Sequence, residues 1–161
     1  MNYPLFISCP KGIDYLLEDE ILMLGLTVRQ VTPQGIWVDA NLSEIYRVCL
    51  WSRIANRVHL KLFNVPADSQ ASIYQSCIEY PWQEVFGPDR TIAVDFHGTS
   101  KSIRNTMYGA QVVKDAVVDY FQKNQNKRPT VDKKSPEILI QARLKNNELT
   151  VSFDLTGYSM H

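Results

Sequence analysis

Charge of one sign, paired cysteines, clustered glycines and long apolar runs are all missing from this 161-residue chain, and each absence removes a class of protein. Seventeen Lys and Arg balance seventeen Asp and Glu, so no overall field marks the chain as a general polyanion or polycation binder. Cys9, Cys49 and Cys77 are odd in number and far apart, with neither a second cysteine two residues away nor a nearby histidine. That spacing disfavours a zinc site or a disulfide framework and leaves small buried hydrophobes in a reducing compartment. The seven glycines stand singly, so no nucleotide-cradling turn is present. No apolar run approaches the ~20 residues a membrane helix needs, and the start lacks a secretory leader pattern. A soluble, cytoplasmic protein is expected, with 45% hydrophobic residues to build a core.

What is present begins with a regular first third. Residues 5–8 read as a short strand, and Ile13, Leu16, Leu17, Ile21 and Leu24 fall on one face of a helix over 13–24. Strands over 28–32 and 36–38 flank Pro33-Gln34-Gly35, a hairpin turn. Asn41 or Ser43 caps a second helix running to Trp51, and 58–63 alternates as a half-buried strand. Strand, helix, strand, strand, helix, strand is the βαββαβ order of a ferredoxin-like fold. Val65-Pro66-Ala67-Asp68 is the expected boundary. Beyond it the pattern predicts a helix over 71–80, one further turn at 81–86 and a strand over 91–96. A hairpin of 138–144 with 149–155 then closes through Lys145-Asn146-Asn147-Glu148.

Between that strand and hairpin lies the most uneven stretch of charge. Lys101 to Lys134 holds eight basic residues against three acidic ones. A long helix opened by Ile103-Arg104-Asn105 is expected there, with Ile103, Met107, Ala110, Val113, Val117 and Phe121 as its buried stripe. Arg104, Tyr108, Gln111 and Asp115 then share the neighbouring stripe, close to helix-terminal amides that favour phosphate. Gly109 inside a helix costs about 1 kcal/mol relative to alanine and signals close approach by a backbone or a ligand. On charge and spacing alone, nucleic-acid binding and an ordinary solvated face stand level. Arg53 and Arg57, read as one turn apart at the end of the second helix, suggest a further phosphate contact. Pairing with Glu44 or Asp39 is the competing explanation and the favoured one.

No catalytic or metal site emerges. His59 and His97 read as packed or rim histidines, Asp95 and His97 lack a third ligand, and Ser8 and Ser102 lie in no nucleophile elbow. Asp14, Glu18, Asp19 and Glu20 read as a solvated acidic face.

The order Ser102-Ile103-Arg104-Asn105, Tyr108-Gly109, Val113-Lys114-Asp115-Ala116-Val117-Val118-Asp119, then Arg128-Pro129 and Val131-Asp132, resembles the THUMP domain of bacterial 23S ribosomal RNA guanine-N2 methyltransferases. Lys11-Gly12 and Trp51-Ser52-Arg53-Ile54-Ala55-Asn56-Arg57 resemble the same family's N-terminal ferredoxin-like domain. Ser152-Phe153-Asp154-Leu155-Thr156-Gly157 resembles its last strand before the catalytic domain. The resemblance implies an α+β chain with a ferredoxin-like domain over 1–66, an α/β THUMP domain over 67–157, and the start of a linker at 158–161. The RNA-binding reading gives contacts to Arg104, Asn105, Tyr108, Lys114, Lys127 and Arg128, with Arg53 and Arg57 as the separate second phosphate contact raised above. The partners implied are structured RNA, 23S ribosomal RNA in particular, and a C-terminal methyltransferase domain that uses S-adenosylmethionine. The family's Asn-Pro-Pro-Tyr-like signature is not in this sequence. The chain alone is therefore expected to be no enzyme, to hold no cofactor, and to present RNA to a domain it does not contain. Two other readings stand beside this one: an assembly module docking the catalytic domain, and a fragment of a DNA adenine methylase.

Overall fold

A computed structural model describes residues 2–52 and 57–155. The described residues fall into two units, one built from 2–52, 57–62 and 152–155, the other from 63–151.

In the first unit β1 (Tyr3–Ser8), α1 (Asp14–Met23), β2 (Thr27–Thr32), β3 (Gly35–Ala40), α2 (Leu42–Trp51) and β4 (Arg57–Pro66) follow in the expected βαββαβ order. The strands lie β2-β3-β1-β4, and all three pairings are antiparallel. Period-two alternation puts Tyr3, Leu5 and Ile7 of β1, Ile36, Val38 and Ala40 of β3, and Val58 and Leu60 of β4 in the core. Leu17 and Ile21 of α1 and Ile45 and Val48 of α2 are buried with them. Asn41 is the cap of α2: its side chain accepts from the Glu44 amide at 2.9 Å while Glu44 accepts from the Asn41 amide at 3.0 Å. Arg57 opens β4, so it does not belong to the end of α2 as the sequence suggested. Arg53 lies outside the described residues.

The second unit adds α3 (Gln70–Glu79), a short 3-10 turn (Trp82–Glu84), β5 (Ile92–His97), α4 (Thr106–Gln125), β6 (Ile138–Lys145) and β7 (Glu148–Asp154). Its strands run β7-β6-β5, and β5 pairs with β6 in parallel, with α4 as the crossover. Asn146 and Asn147 take positive φ of 52° and 57°, which closes the expected β6–β7 hairpin with a two-residue turn. Trp82 is fully buried and donates from Nε1 to the Cys77 carbonyl at 2.7 Å. At the proline-marked break Val65 and Pro66 end β4, and Ala67 is buried, its amide donating to the Asn147 carbonyl at 2.7 Å.

The long helix starts later than its sequence pattern suggests. Asn105 is the N-cap and Thr106 the first helical residue, so Arg104 lies in the preceding loop and shares no helical stripe with Tyr108. Buried positions are Gly109, Val112, Val113, Ala116, Val117, Val118, Tyr120 and Phe121. Met107, expected inside, is 77% exposed, while Ile103 is fully buried as a loop anchor. Ile103 satisfies the helical spacing without being helical, so a stripe extrapolated from it points the first turn the wrong way.

Candidate nucleic-acid interface

The segment from Gly98 to Asn105 is short, polar and firmly held. Gly98 has φ +94°, and a Cβ built there would lie 2.0 Å from the Leu144 carbonyl oxygen of β6. Only glycine permits both that conformation and that approach. The Ser100 amide donates to the Ile103 carbonyl at 2.7 Å, and Ser100 Oγ accepts from the amides of Ser102 and Ile103 at 3.3 and 3.1 Å. Ser102 Oγ donates to the Asp68 carbonyl at 3.0 Å. Lys101 and Arg104 are thus exposed on a loop fixed by hydrogen bonds and by the buried Ile103 side chain. Arg104 Nε donates to the Lys101 carbonyl at 3.4 Å.

Asn105 has a structural duty beside its expected one. Its Oδ1 accepts from the amides of Met107 and Tyr108 at 2.8 and 3.3 Å. Two of the amides expected to attract phosphate are therefore already satisfied by the cap. Tyr108 is 39% exposed one turn into α4. Gly109 accommodates neither ligand nor backbone: the Phe96 ring of β5 lies 2.7 Å from where its Cβ would be.

The remaining cations sit elsewhere. The twenty residues of α4 span ~30 Å, so Lys127 and Arg128 lie a full helix length from Arg104. The strip suggested by sequence is two clusters. Lys127 pairs with Asp89, and Arg128 is exposed. Midway, Lys114 is only 32% exposed and contacts Asp115 at 2.5 Å. Arg57 pairs with Asp154 at 3.7 Å, an acid far from it in sequence, in place of the expected Glu44 or Asp39. Asp39 instead holds Arg29 at 3.3 Å, and Glu44 serves the α2 cap.

Strand register brings in cations that linear spacing conceals. His97 pairs with Arg143 across β5 and β6, and Gly98 abuts Leu144, so the loop carrying Lys101 and Arg104 leaves the sheet beside Arg143 and Lys145. Arg143, Lys145, Asn146, Glu148 and Thr150 line a shallow depression there. Their one signal in the sequence is alternation along β6, where Arg143 and Lys145 occupy the exposed positions beside buried Ala142 and Leu144. His97 lies 4.0 Å from Asp95, and both side chains are exposed. No group of three or more His, Cys, Asp or Glu among the described residues is placed to hold a metal. Nor is any helix among them long and apolar enough to cross a membrane.

Comparison with known proteins places this geometry in a family. The THUMP domain model matches residues 67–154, and an RlmL ferredoxin-like domain model matches residues 4–59. The ribosomal RNA large subunit methyltransferase K/L of Legionella pneumophila is 58% identical over the whole chain, which spans 23% of that relative's length. The methyltransferase K/L of Cellvibrio japonicus is 42% identical, again over the whole chain and 21% of its own length. A predicted N6-adenine-specific DNA methylase from Listeria monocytogenes has the same fold, with a TM-score of 0.73 at 19% identity over 96% of this chain and 40% of its own. The chain belongs to the THUMP-domain family, with a ferredoxin-like domain of the RlmL type ahead of the THUMP domain.

Proposed function

We propose that this chain binds structured ribosomal RNA, 23S RNA in particular, and positions it for an S-adenosylmethionine-dependent guanine-N2 methyltransferase domain lying outside it. Residues 1–66 and 67–157 act as its two domains on this reading. The observation that supports it is the register that brings the loop of Lys101 and Arg104 and the β6 residues Arg143 and Lys145 to the same end of the second unit, where Gly98 closely approaches Leu144. Rigidly held cations beside an exposed tyrosine suit a folded RNA, which is recognised through phosphates, 2′-hydroxyls and stacking more than through base edges. Arg104, Tyr108 and the Nδ2 of Asn105 contact the RNA at this end. Lys127 and Arg128 form a second contact ~30 Å away, with Lys114 between them. Arg57 contributes less, since it already has Asp154, and Arg53 is a further phosphate contact. On this reading the methyl transfer and the S-adenosylmethionine site belong to that other domain, in keeping with the isolated glycines here, which form no nucleoside-binding turn.

A salt series on the 161-residue chain with a 23S RNA hairpin tests this. Log affinity should fall linearly with log salt, and Lys101→Ala with Arg104→Ala should reduce the slope by ~0.7 to 0.9 for each phosphate that is no longer neutralised. A flat series, or duplex DNA competing as well as the hairpin, would remove the RNA reading.

A further inference from the structure

Helix α1 is apolar on two opposite sides. Leu17 and Ile21 are fully buried against the sheet of the first unit. At about 100° per residue, Tyr15, Asp19, Leu22, Met23 and Leu16 gather around the opposite pole. The four apolar members of that outer stripe are strongly exposed: Met23 88%, Tyr15 59%, Leu22 52% and Leu16 41%. A helix covering one core normally turns a polar face to water, and a helix apolar all round belongs between two packed surfaces. Single exposed hydrophobes are ordinary, but four on one stripe of a ten-residue helix are not. Helix α2 lies alongside α1: Arg47 Nη1 donates to the Leu24 carbonyl at 2.7 Å, and Ser52 Oγ donates to the Glu20 carboxylate. Beside Ser52, Trp51 is 68% exposed.

The charge on this face selects among occupants. Helix α1 carries Asp14, Glu18, Asp19 and Glu20 and no Lys or Arg, and Asp19 sits in the middle of the outer stripe. RNA phosphates would be repelled, and so would a second copy presenting the same carboxylates across a two-fold axis. We infer that the outer face of α1, extended by Trp51, docks a cationic, apolar protein segment, an amphipathic helix whose Leu-type side chains cover Tyr15, Leu22 and Met23 while Lys or Arg meets Asp19 and Glu18. This is helix-against-helix recognition with charge setting the choice of partner. It uses elements that the proposed RNA contacts do not.

The test is an NMR titration of the ¹⁵N-labelled chain with a helical Leu/Lys peptide of about two heptads and with its Leu/Glu twin. The Leu/Lys peptide should shift the amides of Tyr15, Leu16, Asp19, Leu22 and Met23 and the indole of Trp51, whereas the twin should not. Met23→Glu with Leu22→Glu should weaken binding about tenfold or more, as should Asp19→Lys. All three positions are exposed, and the dispersed amide spectrum of each variant verifies its fold. Three results would overturn the proposal: peptide shifts confined to other surfaces, equal binding of the Leu/Glu twin, or variants that bind like the parent. It would equally fall if dilution of the chain alone, or addition of the RNA hairpin, moved the same resonances.

Discussion

Replacing Gly98 with alanine should damage both the fold and the RNA contact, for reasons that can be worked out atom by atom. The residue has φ +94°, a region where an ordinary side chain costs about 1–2 kcal/mol. Its Cβ would stand 2.0 Å from the Leu144 carbonyl oxygen, with the Leu144 carbonyl carbon at 3.0 Å. Backbone atoms of a paired strand cannot rotate aside, so the loop itself must retreat by more than 1 Å, the kind of overpacking that costs about 1–3 kcal/mol. The expected loss is about 2–4 kcal/mol, read as a lowered urea midpoint. Gly87→Ala is the matched control: its φ lies outside the left-handed region and nothing stands within 4 Å of its Cβ. There the change should be neutral or stabilise by about 0.4–1 kcal/mol through the unfolded chain. Because the displaced loop carries Lys101 and Arg104, Gly98→Ala should also weaken hairpin binding under conditions where the chain is fully folded. Identical urea midpoints for the two alanine variants would refute the reasoning, whatever happened to RNA affinity.

Asn105→Ala removes the cap that holds the Met107 and Tyr108 amides and should cost about 1 kcal/mol by urea denaturation, whereas Asn105→Asp, which retains the acceptor, should cost little. Tyr74 donates from its hydroxyl to Asp119 at 2.6 Å, tying α3 to α4, and that bond, with lesser help from burial and the nearby carboxylate charges, pushes the phenol up to about 12 from its ordinary 10.0. The folded state therefore holds the phenolic proton more tightly than the unfolded chain. The stabilisation is complete below pH 10 and fades as pH rises through about 12. The stability difference between the parent and Tyr74→Phe should narrow over that interval, and a constant difference would contradict the assignment. Burial pushes the Cys77 thiol up to about 12, so alkylation near neutral pH, followed by mass spectrometry, should leave Cys77 unmodified until the chain is unfolded.

The fold was largely readable because its signals are local. Asn41 with Glu44 forms a capping box, Asn146-Asn147 a two-residue turn, and β1 and β6 alternate buried positions with half-buried or exposed ones. Each lies within a few residues of the structure it specifies. Sequence and structure part where a residue satisfies a local pattern for a non-local reason. Ile103 fits the helical spacing of α4 yet is buried as a loop anchor, which draws the predicted helix start past the Asn105 cap. Gly109 signals close approach correctly but not its source, because Phe96 meets it from another element. Arg57 finds its acid in Asp154, brought near by the return of the chain as β7.

Recognition surfaces are harder to read because they are assembled from residues that register and helix geometry bring together or part. Arg143 and Lys145 join Lys101 and Arg104 through the parallel pairing of β5 with β6, a relation that no spacing in the sequence encodes. Lys127 and Arg128, close to Arg104 in composition, are removed from it by ~30 Å of helix. The neutral net charge has the same origin: α1 alone holds four carboxylates and no cation, while Lys101 to Lys134 holds eight cations against three acids. Equal totals here come from segregation, not from uniform mixing. A mixed surface would weaken attraction to any polyion, whereas separated patches let one unit favour phosphate and the other a cationic protein segment, each with its own dependence on salt. It follows that the two proposed surfaces should respond independently to substitution, because they share no residue and carry opposite charge.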